Sequence, residues 1–227
     1  YFKVQVGAAG VLSVAFDAPD NLRAQTDYGY QYYKVSLYDS SSALLGQYHT
    51  SSDKSYSFGV AAQGTYYLVV DRSGYGSTNT TYGLTVTHAA GAVTGFESEN
   101  NDTLQSPDAL SSGVAIQGQL WDATDVDRYR IQADAAGLMS IVLDVPTSSA
   151  TANFFVLKVY DASGTALAQY YAGQDRTVTV GIPVAGAYDI LVQAASNNSW
   201  NGDAYKLTAT LTAGGSEGYE SESNASA

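Results

Sequence analysis

Residues 2–16 have the sequence FKVQVGAAGVLSVAF, and residues 129–143 have the related sequence YRIQADAAGLMSIVL. In the first stretch, the large apolar side chains of Leu12, Val14 and Phe16 alternate with smaller ones. A period of two is typical of a strand that buries one face. Both stretches are therefore predicted to contribute strands to a β-sheet, and together they indicate an internal repeat.

The repeat extends over most of the chain. Residues 64–70 (GTYYLVV) correspond to 186–192 (GAYDILV), and residues 82–87 (YGLTVT) correspond to 205–210 (YKLTAT). Short alternating runs are separated by Gly, Asn, Asp and Ser, which favours an antiparallel β-sandwich in each copy. The unit of about 120 residues is longer than a solenoid repeat, so we expect two tandem all-β domains.

The limits of the domains follow from a third match. The sequence GFESE at 95–99 recurs as GYESE at 218–222, and nothing in the first copy corresponds to residues 96–127. Because the chain begins with Tyr1 and has no evident signal peptide, we expect a processed or excised piece of a longer protein. The predicted limits are 1–92 for a first, N-terminally incomplete sandwich, 93–212 for a second, complete sandwich, and 213–227 for a linker and the start of a further repeat.

Composition narrows the possible partners. The 227 residues include 22 acidic and 10 basic side chains, for a formal net charge of −12. Nucleic acid and anionic lipid need clustered Lys and Arg, so neither is an expected partner. The chain has no Cys, which excludes disulfides and Cys-ligated zinc or iron–sulfur sites. No apolar run approaches the roughly 18–20 residues of a membrane span, so we expect no membrane insertion.

Oxygen ligands are concentrated near the start of the second copy. Carboxylate and amide oxygens suit Ca2+, which takes six to eight such ligands. Two acidic loops could converge on one ion, and the spacing leaves a solvated acidic linker as the alternative. The candidate ligands are Glu97, Glu99, Asn101, Asp102, Asp125 and Asp127, with Asp122 as a weaker candidate.

The second copy also resembles a known family, the bacterial pre-peptidase C-terminal (PPC) domain, which is similar to the collagen-binding domains of clostridial collagenases. The segments that carry the resemblance are Glu97-x-Glu99-x-Asn101-Asp102-Thr103, Gly118-x-Leu120, Asp125-x-Asp127-x-Tyr129, Ala136-Gly137, Val159-Tyr160-Asp161 and Ala185-Gly186-x-Tyr188. The resemblance implies jelly-roll-like β-sandwiches on a secreted bacterial protein. It also implies that the six leading candidates above bind Ca2+. The first copy resembles the family from Phe2 onward but lacks the acidic segment, so we expect no such site built from its own residues.

Tyrosines suggest a second kind of site. If residues 27–38 form a strand, Tyr28, Tyr30 and Tyr32 share one face, and Tyr38 continues it. Such a stripe suits a peptide, collagen-like or glycan ligand, or a neighbouring subunit. An ordinary Tyr-rich strand surface, or the contact between the two copies, is the alternative.

No catalytic motif accompanies these residues. The sequence has no nucleophile elbow, no His-Glu-x-x-His and no phosphate-binding Gly loop, and its two His, His49 and His88, have no His counterparts in the second copy. We therefore expect a non-enzyme, and the resemblance to the PPC family implies a location at the bacterial cell surface or outside the cell. The main hypothesis is a Ca2+-stabilised binding or adhesion module for a protein or glycan. The alternatives are a filament or surface-layer subunit completed by copies of itself, and the substrate-targeting C-terminal region of a secreted peptidase.

Overall fold

The computed structural model describes residues 1–19, 32–73, 80–91, 93, 95–99, 101–146, 153–196 and 203–215. The chain divides into two compact units, Tyr1–Glu99 and Asn100–Ala227. The predicted ligand-surface residues Tyr28 and Tyr30, and most of the predicted C-terminal segment 213–227, lie outside the described residues.

The described part of the first unit forms two antiparallel sheets. The first sheet has the strand order β1-β6-β3-β4, and the second has the order β5-β2-β7. The strands are β1 (Phe2–Val6), β2 (Gly10–Asp17), β3 (Tyr33–Tyr38), β4 (Leu44–Thr50), β5 (Lys54–Val60), β6 (Gly64–Arg72) and β7 (Gly83–Ala90).

The second unit repeats this plan and extends it. Its sheets have the orders β13-β12-β15-β10-β8 and β14-β11-β16-β9. All described pairs are antiparallel except β8 with β10. The strands are β8 (Asp108–Leu110), β9 (Ala115–Gly118), β10 (Val126–Ala133), β11 (Gly137–Asp144), β12 (Phe155–Asp161), β13 (Ala166–Ala172), β14 (Arg176–Ile182), β15 (Gly186–Ala194) and β16 (Tyr205–Ala213).

The strand registers of the two units match. Val4 of β1 is paired with Tyr66 of β6, and Ile131 of β10 is paired with Tyr188 of β15. A register shift lies at the end of β3, between Leu37 and Tyr38, and the same shift recurs in β12. The repeated sequence therefore produces the same backbone pairing in both units.

The apolar residues of the alternating runs form one core in each unit. Leu12, Val14 and Phe16 of β2 are buried against Val35 and Leu37 of β3, which belongs to the facing sheet. The equivalent positions in β11 and β12 form the second core. The prediction of an all-β chain with two tandem antiparallel β-sandwiches is confirmed. None of the described residues belongs to a helix long and apolar enough to cross a membrane.

The glycine of the repeated Ala-Ala-Gly sequence is required sterically in both units. Gly10 and Gly137 begin β2 and β11, where a Cβ atom would collide with the carbonyl oxygen of Ala89 or Thr212 on the neighbouring strand. Glycine therefore allows the close approach of backbones that starts the same strand pair in each unit.

Candidate metal centre and aromatic surface

Asp127 lies in β10 and is fully buried. Its Oδ2 accepts a hydrogen bond from the Tyr205 hydroxyl at 2.6 Å, and this hydroxyl is also 2.6 Å from that of Tyr129. Gly118 makes room for the network, because a Cβ there would collide with the Tyr129 hydroxyl. A buried carboxylate needs such polar contacts to offset the loss of hydration.

Asp125 lies in the turn that precedes β10 and is 2% exposed. Its two carboxylate oxygens accept the amides of Trp121 at 2.7 Å and Val126 at 2.8 Å. The weaker candidate Asp122 precedes Asp125 in the same turn. Its Oδ1 accepts the Thr124 amide, the Thr124 hydroxyl and the Asp125 amide. These contacts make Asp122 the cap of the turn that holds Asp125 in place.

Asn101 and Asp102 approach the same end of the second unit. The Asn101 side chain is fully buried, and its Nδ2 donates to Asp108 Oδ2 at 3.0 Å. Its Oδ1 is buried and has no hydrogen-bond partner among the residues that the structure describes. Asp102 is exposed, and one of its carboxylate oxygens lies within 4.8 Å of one from Asp125. The structure thus brings the predicted ligands Asp102 and Asp125 together.

Glu97 and Glu99 lie at the end of the first unit and are half-buried. One carboxylate oxygen of each lies within 4.8 Å of the other. The backbone of Glu97 is close to Gly59 of β5, where a Cβ would collide with the Glu97 carbonyl oxygen. Carboxylate oxygens at this spacing are close enough to bind one cation together.

The predicted tyrosine stripe is only partly described. The strand β3 begins at Tyr33, after Tyr32. The Tyr32 amide donates to Ser51 Oγ at 2.9 Å, and its side chain packs against the apolar core. Tyr38 is at the other end of β3, half-exposed and paired in register with Tyr67 of β6.

Polar side chains adjoin Tyr38 on the outer face of this sheet. Ser36 donates to Gln47 at 3.2 Å, and the Gln47 amide is 3.5 Å from a ring nitrogen of His49. Burial lowers the pKa of His49, and the nearby charge of Lys34 lowers this pKa further. His49 is thus held neutral near pH 7, and the polar cluster adds no charge of its own beyond Lys34.

Sequence reasoning missed three residues of these sites. Tyr205 donates a hydrogen bond to Asp127, and Asp108 accepts one from Asn101. Tyr67 lies beside Tyr38 on the neighbouring strand. Asp108 could have been included, since it follows the acidic segment closely. Tyr205 is 78 positions from Asp127, and no local pattern links two residues at that separation.

No protein-family model matches the chain, and no curated protein matches it. Among solved structures, it is similar to the pre-peptidase C-terminal domain of a Bacillus anthracis collagenase, with 16% identity and a TM-score of 0.37 over 46% of this chain and 94% of that one. It is similar to an Aeromonas hydrophila periplasmic inhibitor of g-type lysozyme, with 14% identity and a TM-score of 0.36 over 47% of this chain and 96% of that one. Tandem CBM51 modules of a Streptococcus pneumoniae family 98 glycoside hydrolase are 8% identical, with a TM-score of 0.32 over 93% of this chain and 80% of that one. At these TM-scores and identities, the similarities do not assign a function to the chain.

Proposed function

We propose that the chain is a non-catalytic extracellular module that binds a protein or glycan, and that Ca2+ stabilises it. The observation that carries the calcium part is the buried Asn101 Oδ1, which lacks a hydrogen-bond partner among the described residues. An unsatisfied buried oxygen costs about 1–3 kcal/mol, and coordination to a cation would remove that cost. Asp102 and Asp125 would supply charge to the same ion.

The chemistry of the ligand set favours Ca2+ over other metals. The candidates offer only carboxylate and amide oxygens, whereas zinc and copper prefer His and Cys. Asn101, Asp102, Asp125 and Asp127 would bind from the second unit. Glu97 and Glu99 stay predicted ligands, on the strength of the sequence. Asp122 positions the turn and is left out of the proposed ligand set.

Calcium binding should raise the stability of the folded chain. An ion that binds the folded state alone contributes RT ln(1 + [L]/Kd), which is about 2.7 kcal/mol at a hundred times Kd. We expect titration calorimetry to detect Ca2+ binding by the intact chain. We also expect its unfolding temperature to rise in millimolar Ca2+ relative to chelator.

A matched pair of variants locates the ion. Asp102→Asn removes an exposed predicted ligand, and Asp134→Asn removes an exposed charge on the turn after β10. We expect the first to weaken Ca2+ binding at least tenfold and the second to leave it unchanged. Equal affinities in both variants, or no binding by the native chain, would contradict the calcium proposal.

The paired tyrosines support the ligand-binding part. Tyr38 and Tyr67 occupy adjacent strands on the outer face, and the Tyr1 ring lies 6.2 Å from that of Tyr67. Tyrosine offers apolar area and a hydroxyl together, which suits contacts with peptides and sugars. The sequence prediction adds Tyr28 and Tyr30 to this surface, whereas the predicted Tyr32 packs its side chain against the apolar core and is left out.

Surface binding assays test this part independently of calcium. The chain would be applied to immobilised collagen and to glycan-coated surfaces, with Tyr38→Ala as the variant. Tyr160→Ala is the matched control, because Tyr160 occupies the equivalent position in β12. We expect at least a tenfold loss of binding in the Tyr38 variant alone. Retention of a ligand by that variant would exclude the tyrosine surface. Loss of binding in the Tyr38 variant alone would fit both a surface protein and the targeting region of a peptidase.

A further inference from the structure

We propose that the outer face of the five-stranded sheet in the second unit binds a glycan that carries carboxylate groups. The residues of this cationic face are Arg128, Arg130, Lys158, Leu191 and Tyr171. The inference goes beyond the proposed function, because it needs neither Ca2+ nor the tyrosine surface of the first unit. It rests on positive charges that the described residues neutralise only in part.

Strand alternation places the charged side chains on one face. In β10, Tyr129 lies in the core, so Arg128 and Arg130 on either side of it point away from the core. The register extends this face across the sheet, because Arg128 is paired with Leu191 of β15 and Leu191 is paired with Lys158 of β12. Neighbouring strands are about 4.8 Å apart, so the backbones of Arg128 and Lys158 are about 10 Å apart, on either side of Leu191.

One carboxylate serves two guanidinium groups on this face. Asp189 of β15 is buried, and its two oxygens accept hydrogen bonds from two nitrogens of Arg130 at 2.7 and 2.9 Å. A terminal nitrogen of Arg128 is 3.8 Å from one of these oxygens. The Arg128 Nε is buried and has no hydrogen-bond partner in the part of the chain that the structure describes. Because a partly buried charge is costly without a close partner, a second anion beside Arg128 would lower the free energy of this face.

Lys158 adds a positive charge that is paired with a neutral group. Its Nζ donates to Gln193 Oε1 at 3.3 Å. The outward positions of β10, β12 and β15 thus hold three basic side chains and one acidic one, a net charge of +2. The whole chain has a formal net charge of −12. This local reversal of sign gives the cationic face electrostatic complementarity to an anionic partner.

The backbone of this face favours a sugar over a peptide. Each of β10, β12 and β15 has a paired strand on both sides, so an extended peptide cannot add a strand here. Recognition must therefore come from side chains. Tyr171 of β13 is 46% exposed and is paired with Val156, two residues before Lys158. Its ring offers a sugar an apolar surface and a hydroxyl, and the fork of a guanidinium group matches a planar carboxylate.

The first unit does not repeat the pair of charges that flanks Leu191. The positions of Arg128 and Lys158 are occupied there by Tyr1 and Ser36. In the second unit, the Arg128 guanidinium lies 5.9 Å from the centre of the Tyr160 ring. We assign Tyr160 to holding this guanidinium group and not to contact with the sugar. The predicted site thus belongs to the second unit.

Sugars with and without carboxylates test the proposal. Sialyllactose is compared with lactose, and tetragalacturonate with its methyl ester, by titration calorimetry on the intact chain at low salt. We expect each acidic sugar to bind at least tenfold more tightly than its neutral counterpart, and the affinity to fall as salt is raised. Each titration is repeated with chelator, because a sugar carboxylate could also bind an ion at the proposed Ca2+ site. We expect the same affinity with chelator, and binding that requires Ca2+ would overturn the proposal.

A matched pair of lysine variants locates the site. Lys158→Gln and Lys206→Gln remove the same charge from the two sheets of the second unit, and Lys206 is exposed on β16. We expect the first to weaken binding of the acidic sugars at least threefold and the second to leave it unchanged. Arg128→Gln should weaken it at least tenfold, and its unfolding temperature shows whether this variant is folded. Tyr38→Ala should leave it unchanged, which separates this site from the tyrosine surface.

Four results would overturn the proposal. They are equal losses in the two lysine variants, equal affinities for acidic and neutral sugars, a loss in Tyr38→Ala as large as that in Arg128→Gln, and no binding of either acidic sugar at millimolar concentration. A tetraglutamate peptide serves as the competing anion. Tighter binding of this peptide than of both acidic sugars would also contradict the proposal, because the cationic face would then select an acidic peptide.

Discussion

The two units share strand order and register, but they differ in how one side of the sandwich is closed. In the second unit, β8 and β9 cover Tyr129 and Leu207, and both side chains are fully buried. In the first unit, the equivalent Phe2 and Leu84 keep contact with solvent. The same alternating sequence therefore builds a more complete core where the chain supplies two more strands. The contrast shows that strand pattern sets the fold, and that edge strands decide how much of the pattern is buried.

The largest effect should come from truncating the equivalent leucines. Loss of a fully buried Leu costs about 2–5 kcal/mol, so we expect Leu207→Ala to destabilise the second unit by about 3 kcal/mol. Leu84→Ala should cost the first unit about 1 kcal/mol, because this side chain buries less apolar area. Hydrogen exchange followed residue by residue reports the free energy of unfolding of each unit separately. Equal costs in the two units would break the comparison.

The fold was predictable from the sequence because the strands of a sandwich have apolar residues at every second position, on the face that is buried. Leu12, Val14 and Phe16 are all buried, as their alternation predicts. The strand β8 was not predictable in this way, since its three residues are too few to show alternation. Its parallel pairing with β10 depends on the burial of Leu110, which is a tertiary contact.

The candidate site was predictable only in its local part. Sequence spacing placed Asp125 and Asp127 beside a strand, because they are close neighbours in the chain. The partners Tyr205 and Asp108 come from other strands, and the role of each depends on the assembled sandwich. Asp122 has the residue type of a ligand, but its contacts to Thr124 show a turn cap.

Removing the hydroxyl of Tyr205 or of its equivalent should give the next largest difference in stability cost between the units. Tyr205→Phe removes a hydrogen bond to the buried carboxyl group of Asp127, so we expect a cost of about 2 kcal/mol in the second unit. Tyr82 is the equivalent residue, and its ring stacks on Phe16 with centroids 5.3 Å apart. Tyr82→Phe keeps this stacking, and we expect a change within about 0.5 kcal/mol. Thermal unfolding of both variants measures the difference, and similar losses would contradict a role for the Asp127 contact.

The smallest effects should come from a turn that the two units share. Asp39 follows β3, and its Oδ1 accepts the amides of Ser41 and Ala43, both at 2.8 Å. Asp161 ends β12, and its Oδ1 accepts the amides of Ser163 at 2.8 Å and Thr165 at 2.9 Å. Removing either carboxylate should cost about 1 kcal/mol, and the same amount in each unit. Unequal costs for Asp39→Ala and Asp161→Ala would show that the two turns are not equivalent.

These turns also predict a dependence on pH. The hydrogen bond from Ser163 and the neighbouring amides hold the pKa of Asp161 below its ordinary value of 3.8. A carboxyl group whose pKa is lower in the folded state stabilises that state above its unfolded pKa, and this contribution is lost as pH falls through the folded pKa. Stability of the native chain should therefore drop below about pH 4 by more than that of Asp161→Asn, which has no carboxyl group to protonate at this turn. Parallel acid unfolding curves for the two proteins would show that the lowered pKa contributes nothing measurable to the stability of the second unit.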